Sequence, residues 1–253
     1  MGAVQDLLPS LVPDTIRLLH VEDDPDFGAL AAEFLESEDD RVSVISAGSA
    51  AEGLEVFDDE DVDCIVSDYD MPEMNGIEFL KRVRRADPRV PFILFTGKGS
   101  EEVASEAISH DVTDYLQKKR GSDQYRVLLN RIINAVEGYR AESRLMQAFT
   151  ALYNGKQSVG IIDTDGRYMF VNPSYAATYG LQPEDLIGKS WHRLYPKGEI
   201  RRFEEEVLPQ LDHQTSWSGE ATAVRADGTR IKQQLRVSNI GNGAHVWFIN
   251  NVQ

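Results

Sequence analysis

The chain contains little cysteine and no long apolar run. Its single cysteine, Cys64, among 253 residues excludes an intramolecular disulfide, a zinc finger and a cysteine-ligated cluster. No apolar run approaches the roughly 20 residues that a transmembrane helix needs. Residues 1–13 lack the basic start and the apolar core of a secretory signal. We therefore expect a cytoplasmic protein with no membrane segment, whose residues 1–13 form an N-terminal tail.

Positive charge is also scarce. The 26 basic residues face 42 acidic ones, which gives a formal net charge of −16. Because nucleic-acid binding needs a basic face, we expect no nucleic-acid partner. The excess of acid is confined to residues 1–122, which hold 28 acidic and 11 basic side chains, whereas residues 123–253 hold 14 and 15. The different compositions of the two halves predict two domains, in line with the chain length.

Short apolar segments alternate with amphipathic segments throughout the first half. Within the amphipathic segments the apolar residues recur at helical spacing, as Phe27, Ala31 and Phe34 do after Asp24-Pro25. Five strands alternating with five helices predict a parallel sheet that is covered by helices on both faces. The predicted strands are residues 16–21, 42–45, 62–67, 91–95 and 114–118.

Polar side chains follow the carboxyl ends of four predicted strands, where ligands of such sheets bind. Grouped carboxylates repel each other unless a hard cation such as Mg²⁺ lies between them. An aspartate beside that cation can act as a nucleophile toward a phosphoryl group. A lysine and a threonine can then stabilise the phosphoryl oxygens. The side chains in question are Glu22–Asp24, Asp68, Thr96 and Lys118.

Four motifs of the first half resemble the receiver domain of two-component response regulators. The resemblance covers residues 14–138 and implies a flavodoxin-like α/β fold with five parallel strands. It also implies that a partner histidine kinase supplies the phosphoryl group. The motifs that carry the resemblance are Val21–Pro25, Asp68–Pro72 with Asn75-Gly76, Phe95–Gly97 and Asp114–Lys118.

The resemblance implies a phosphoacceptor and a metal site. Asp68 would accept the phosphoryl group. Glu22 and Asp23 would form the acidic pair of the Mg²⁺ site, with Asp23 and Asp68 as direct ligands. The backbone carbonyl of Asp70 would be a third ligand.

The resemblance also implies a switch pair and a lysine that senses the phosphoryl group. Thr96 and Tyr115 would be the switch pair, and Lys118 would be the lysine. Family members usually carry a proline after this lysine, where this chain has Lys119. The Tyr-x-x-Lys spacing favours Lys118, and Lys119 remains the alternative.

The second half has the pattern of a small α+β domain. Two strand-like segments flank the turn Asp165-Gly166, several short helices follow, and three more strand-like segments come after them. One longer helix is predicted over residues 198–211. The motifs Gly160–Gly166, Phe170–Tyr175 and Gly180–Lys189 resemble a PAS domain. The resemblance implies an antiparallel sheet and a sensing or protein-pairing module, which we assign to residues 153–253.

The sequence does not identify a ligand of the PAS domain, and the expected state is a pocket that is empty or holds an unknown ligand. Flavin-adduct and thioester-linked chromophores need a nearby cysteine, and Cys64 lies in the other half. Haem needs an axial ligand, for which only His192 and His213 are plausible candidates. Residues 139–152 are predicted to be a linker helix, with Gly138 as a potential break. Its apolar residues favour a homodimer formed through this helix or through the PAS domain.

We therefore predict a two-component signalling protein that is phosphorylated on Asp68 and is not itself a kinase. It would assist only its own phosphorylation and dephosphorylation. One alternative is the N-terminal input fragment of a hybrid histidine kinase whose catalytic module lies beyond Gln253. A weaker one is a metal-dependent phosphatase that uses Asp68 and Asp70. The domain pair most resembles haloarchaeal receiver–PAS proteins, and only 8 of the 26 basic residues are lysine.

Overall fold

The computed structural model describes residues 15–97 and 101–252. The chain divides into two compact units, residues 1–143 and 144–253. This division falls within the segment 139–152 that was predicted to be a linker, whereas the predicted tail 1–13 lies outside the described residues. No helix in the described ranges combines the length and the apolar character needed to cross a bilayer.

The first unit is built on a parallel sheet in the strand order β2-β1-β3-β4-β5. This is the flavodoxin-like order, so the predicted α/β fold is confirmed. The central strands β1, β3 and β4 consist mainly of apolar residues, and β3 and β4 are buried along their whole length. The strands are β1 (Ile16–Val21), β2 (Val42–Ala47), β3 (Cys64–Ser67), β4 (Phe92–Thr96) and β5 (Asp114–Gln117).

Helices cover both faces of this sheet and enclose two apolar clusters. Three of them begin at a side-chain cap: Asp24, Ser49 and Asn75 each accept a hydrogen bond from a backbone N–H of the first turn. Cys64 is completely buried in β3, and burial raises the pKa of its thiol. The helices are α1 (Pro25–Glu38), α2 (Ala50–Asp59), α3 (Gly76–Ala86) and α4 (Glu101–Ser109).

The next helix, α5 (Asp123–Asn154), is continuous over 32 residues. It passes through Gly138 without a break, so the potential break considered there is absent. Its first half buries one face in the first unit. Its second half, from Leu145 to Leu152, exposes large apolar side chains. The buried residues are Tyr125, Leu128, Leu129, Ile132 and Val136.

The second unit has an antiparallel sheet in the order β7-β6-β10-β9-β8, which confirms the α+β prediction. The helix predicted over residues 198–211 is wrong as a single element. The segment consists of α8 (Lys197–Arg202), a π-type turn at Phe203–Val207 and a 3-10 turn at Leu208–Asp212. The last turn contains Pro209, which has no backbone N–H to donate to a helical hydrogen bond. The elements are β6 (Ser158–Ile162), β7 (Tyr168–Val171), α6 (Pro173–Thr178), α7 (Pro183–Leu186), α8 (Lys197–Arg202), β8 (Ser216–Val224), β9 (Arg230–Gly241) and β10 (Ala244–Val252).

Aromatic side chains fill the interior of the second unit. The hydroxyls of Tyr168 and Tyr175 are 3.0 Å apart, and the Tyr179 hydroxyl donates to Gln233 Oε1 at 3.1 Å. The Gln233 amide in turn donates to the Tyr195 hydroxyl at 2.8 Å. Burial raises the pKa of all four tyrosines, which therefore act as neutral hydrogen-bonding groups.

Candidate functional site

The carboxyl ends of β1 and β3 bring two acidic side chains together. Val21 and Ser67 are paired in register, and the Asp68 N–H donates to the Val21 carbonyl at 2.9 Å. Glu22 and Asp68 are therefore neighbours one position beyond this pair. Both are nearly buried, with 6% and 7% of their surface exposed. Two carboxylates so far from water need a positive partner.

Three carboxylates form a group that could hold a metal ion. Ligand oxygens of Glu22, Asp23 and Asp68 all lie within 4.8 Å of one another. Asp23 is exposed, so the group opens to solvent on its side. Asp70 is exposed in the loop after β3. An acidic, all-oxygen donor set fits a hard divalent cation such as Mg²⁺.

Lys118 supplies a positive partner for two of these carboxylates. Its Nζ lies 2.6 Å from Glu22 Oε2 and 3.2 Å from Asp68 Oδ1. The ammonium also lies over the Phe27 ring, 4.3 Å from its centroid. Lys119 is exposed instead, and its backbone N–H donates to Gln124. Of the two candidate lysines, the structure thus places Lys118 in the acidic group.

The electrostatic balance of this group is uneven. Burial raises the pKa of Glu22, and the hydrogen bond from Lys118 opposes this rise. The Lys118 ammonium is an ion-pair partner of Asp68 Oδ1, yet this buried oxygen accepts no well-aligned hydrogen bond from the described residues. One lysine charge thus serves two nearly buried carboxylates, a balance that favours binding of a further cation.

The two predicted switch residues lie on adjacent strands at the same end of the sheet. Thr96 ends β4 with only 1% of its surface exposed, and its carbonyl accepts the Lys118 N–H at 2.8 Å. Tyr115 is in β5, in register with Leu94 of β4. Burial raises the pKa of Tyr115, and its buried hydroxyl has no hydrogen-bond partner among the described residues. The neutral hydroxyl is thus held without a fixed partner.

A close backbone contact fixes the loop after Asp68. The Gly76 N–H donates to the Tyr69 carbonyl at 2.9 Å, and the Ser67 hydroxyl donates to the Asp68 carbonyl at 2.7 Å. A Cβ atom at Gly76 would lie 2.2 Å from that same carbonyl oxygen. Glycine at this position therefore lets the start of α3 pack directly against the backbone of Asp68.

Two residues next to the acidic group were not identified as site residues from the sequence. Phe27 was predicted only as part of the apolar face of α1, yet its ring lies beneath the Lys118 ammonium. His20 was predicted only as a strand residue, and it is 1% exposed in β1. The sequence feature that could have identified His20 is its position as a polar residue within the apolar run Leu18–Val21.

In the second unit, neither candidate haem ligand lies in the core. His192 Nε2 lies 3.1 Å from Glu204 Oε1, and both side chains are about half exposed. His213 is exposed as well. Aromatic residues form the core of this unit, including Trp191 and Trp247.

Comparison with known proteins identifies both units. Residues 18–130 match the family model of the response regulator receiver domain, and residues 153–250 match a PAS fold. The sensor histidine kinase TmoS of Ectopseudomonas mendocina is 24% identical over 267 residues, which cover 91% of this chain and 27% of that protein. The transcriptional regulatory protein GlrR of Escherichia coli K12 is 38% identical over 107 residues, 42% of this chain and 24% of that protein.

Among solved structures, a CheY-like response regulator receiver domain protein from Methanospirillum hungatei JF-1 is 26% identical with a TM-score of 0.47. The match covers 51% of this chain and 98% of that one.

The chain spans about a quarter of the length of the curated relatives described above. Both matched families are signalling modules without kinase activity of their own. The chain therefore joins a response regulator receiver domain to a PAS domain, the modules of a two-component signalling protein.

Proposed function

We propose that Asp68 accepts a phosphoryl group from a partner histidine kinase. The observation that carries this proposal is the surroundings of Asp68 at the end of β3. The carboxylate is nearly buried, lies 3.2 Å from the Lys118 ammonium and belongs to a group of three carboxylates. Receiver domains take phosphoryl groups from histidine kinases, and a sensor histidine kinase is among the relatives.

In this proposal Glu22, Asp23, Asp68 and the backbone carbonyl of Asp70 hold a Mg²⁺ ion. The ion would neutralise negative charge on the phosphoryl oxygens. The donor set supports the choice of metal, because it consists of oxygens alone. The shortage of positive charge around the two nearly buried carboxylates supports it as well.

The chain's own residues then have distinct roles in the transfer. A carboxylate oxygen of Asp68 attacks the phosphorus atom, and the bond from phosphorus to the donor's imidazole nitrogen breaks as that nitrogen leaves. Lys118 stabilises the charge on the phosphoryl oxygens with its ammonium, and Thr96 donates a hydrogen bond from its hydroxyl. The receiver domain thus assists its own phosphorylation, and the chain needs no kinase activity of its own.

The signal would pass from the phosphoryl group to the rest of the chain through Thr96 and Tyr115. The Tyr115 hydroxyl has no hydrogen-bond partner in the described part of the chain, so its ring can follow a shift of Thr96 toward the phosphoryl group. We assign residues 14–138 to the receiver domain, residues 139–152 to a linker helix and residues 153–253 to the PAS domain. The ligand of the PAS domain is unassigned.

Phosphorylation with a small-molecule donor tests the assignment of Asp68. Incubation with acetyl phosphate and Mg²⁺ is expected to slow the wild-type chain in Phos-tag electrophoresis. Asp68→Asn is expected to abolish that shift, because an amide cannot attack phosphorus. Asp70→Asn is the matched control, since it makes the same chemical change two residues away but keeps the backbone carbonyl. A shift that persists in Asp68→Asn contradicts the proposal.

We also propose that a second copy of the chain covers the exposed apolar face of α5. Leu145, Met146, Phe149 and Leu152 are between 45% and 72% exposed. Their spacing of three and four residues puts Leu145, Phe149 and Leu152 on one side of the helix, which suits pairing with an identical helix.

Light scattering is expected to give the mass of a dimer for the wild type and the mass of a monomer for the double variant Leu145→Glu with Met146→Glu. Gln147→Glu on the same helix is expected to stay dimeric. A monomeric wild type excludes this pairing.

A further inference from the structure

His20 is a buried polar residue whose ring makes no hydrogen bond within residues 15–97 and 101–252. It lies in the middle of the sheet, and only 1% of its surface is exposed. Neither ring nitrogen has a hydrogen-bond partner among the described residues. Such orphaned atoms are rare in native interiors, because each one loses its bonds to water without replacement. An apolar residue of similar size would fill the same space without this loss.

The register of the sheet puts His20 directly beneath the acidic group. His20 pairs with Val66 of β3, and the side chains of Glu22 and Asp68 follow two positions later on the same face. Lys118 shares this face as well, because it follows Leu116, which pairs with Phe95. The separation along the strand is roughly 7 Å between Cα atoms two residues apart. His20 therefore forms the layer under the ion pairs of Lys118.

A second buried polar atom without a hydrogen bond from the described residues lies one layer above His20. Asp68 Oδ1 is buried and, apart from its ion pair with Lys118, accepts no hydrogen bond from the described residues. Electrostatic interactions connect the imidazole to both Asp68 and Lys118. A neutral imidazole offers one hydrogen-bond donor and one acceptor. One water molecule between the imidazole and Oδ1 would satisfy both groups.

We propose that His20 is a positioning residue for Asp68, which fixes the orientation of the phosphoacceptor carboxylate from inside the sheet. This inference rests on the proposed function of Asp68. When an interaction from inside the sheet fixes one oxygen of the carboxylate, the other oxygen faces the phosphodonor in a single orientation. Without that interaction the carboxylate can rotate. The expected contribution is to the rate of phosphoryl transfer, since positioning acts on the attacking atom.

Three substitutions of His20 separate positioning from packing. His20→Leu keeps the volume and removes both hydrogen-bonding atoms, so it is expected to raise the melting temperature and to slow phosphorylation by acetyl phosphate about fivefold to tenfold. His20→Asn and His20→Gln each return an amide near one ring nitrogen, and one of them is expected to restore most of the rate. Leu18→Val changes packing on the same face of β1, so it is expected to lower the melting temperature and keep the rate.

The rates and melting temperatures decide the proposal together. A gain in stability with a loss of rate is a combination that a purely structural residue does not give. The proposal is overturned if folded His20→Leu is phosphorylated at the wild-type rate, or if neither amide variant is faster than His20→Leu.

A second measurement does not depend on phosphorylation. In the unmodified, metal-free chain, Asp68→Asn is expected to shift the ¹⁵N resonances of the His20 ring more than Asp70→Asn does. Equal shifts in the two variants would overturn the contact between His20 and Asp68. If wild type gains no phosphoryl group while this difference is present, the proposed function has failed but the contact has not.

Discussion

Gly76→Ala is expected to destabilise the receiver unit by about 3 kcal/mol, a large effect for the addition of one methyl group. The new Cβ would lie 2.2 Å from the Asp68 carbonyl oxygen, 2.8 Å from Leu94 Cδ1 and 3.0 Å from Tyr69 Cα. Two of these three atoms belong to the backbone, so a rotamer change cannot relieve the overlap. The start of α3 must move away from the end of β3 instead.

The control is a glycine in open space. Gly138 lies within α5, and nothing is within 4 Å of a Cβ built there. Gly138→Ala is therefore expected to stabilise the chain by about 0.5–1 kcal/mol through helix propensity alone. Urea unfolding followed by circular dichroism measures both variants. An unchanged stability of Gly76→Ala would show that the approach of α3 to Asp68 is looser than described.

Asn172→Ala is expected to cost the PAS unit about 3–4 kcal/mol. The Asn172 side chain is fully buried at the start of α6. Its Oδ1 accepts the N–H groups of Val159 at 3.0 Å and Tyr175 at 2.9 Å. Its Nδ2 donates to the carbonyls of Leu152 at 3.0 Å and Gln157 at 2.7 Å. Alanine leaves these backbone groups without a partner in the interior, and water cannot easily replace the amide.

Asn75→Ala is the matched control, because Asn75 is also an asparagine cap. It accepts the N–H groups of Ile77 and Glu78, but it makes no comparable set of interior contacts. The expected cost is about 1 kcal/mol. Urea unfolding followed by circular dichroism measures both variants, and tryptophan fluorescence reports the second unit selectively, since all three tryptophans lie there. If the two variants lose the same free energy of unfolding, the interior hydrogen bonds of Asn172 do not add to the stability of the PAS unit.

The sequence predicted the sheet of the receiver domain because the central strands β1, β3 and β4 are short, mainly apolar runs that lead into a polar residue of the site. These three strands are almost entirely buried and therefore need apolar residues on both faces, whereas the edge strands β2 and β5 are partly exposed. The same periodicity also separates Lys118 from Lys119. Lys118 is two residues beyond Leu116, so it shares the face of the sheet that carries Asp68, whereas the exposed Lys119 does not lie in the acidic group.

Other features could not be predicted from local patterns. The helix passes through Gly138 because the strong helix formers around it outweigh a cost of about 1 kcal/mol. The irregular segment from Phe203 to Asp212 follows the packing of Phe203 and Val207 into the aromatic core, which no periodicity encodes. The importance of His20 arises only from its neighbours across the sheet. The roles of the site residues, the domain boundaries and the resemblance to haloarchaeal proteins stay predictions.

The single thiol of the chain has a practical consequence. Cys64 is fully enclosed in β3, and its raised pKa keeps it protonated and unreactive at neutral pH. A thiol reagent can therefore modify it only when the receiver sheet opens, so its labelling rate reports that opening. An exposed cysteine introduced on another element would react first, which permits site-specific spin or fluorescent labels without removal of Cys64. With three tryptophans in one unit and one thiol in the other, a single sample can report the opening of each unit separately.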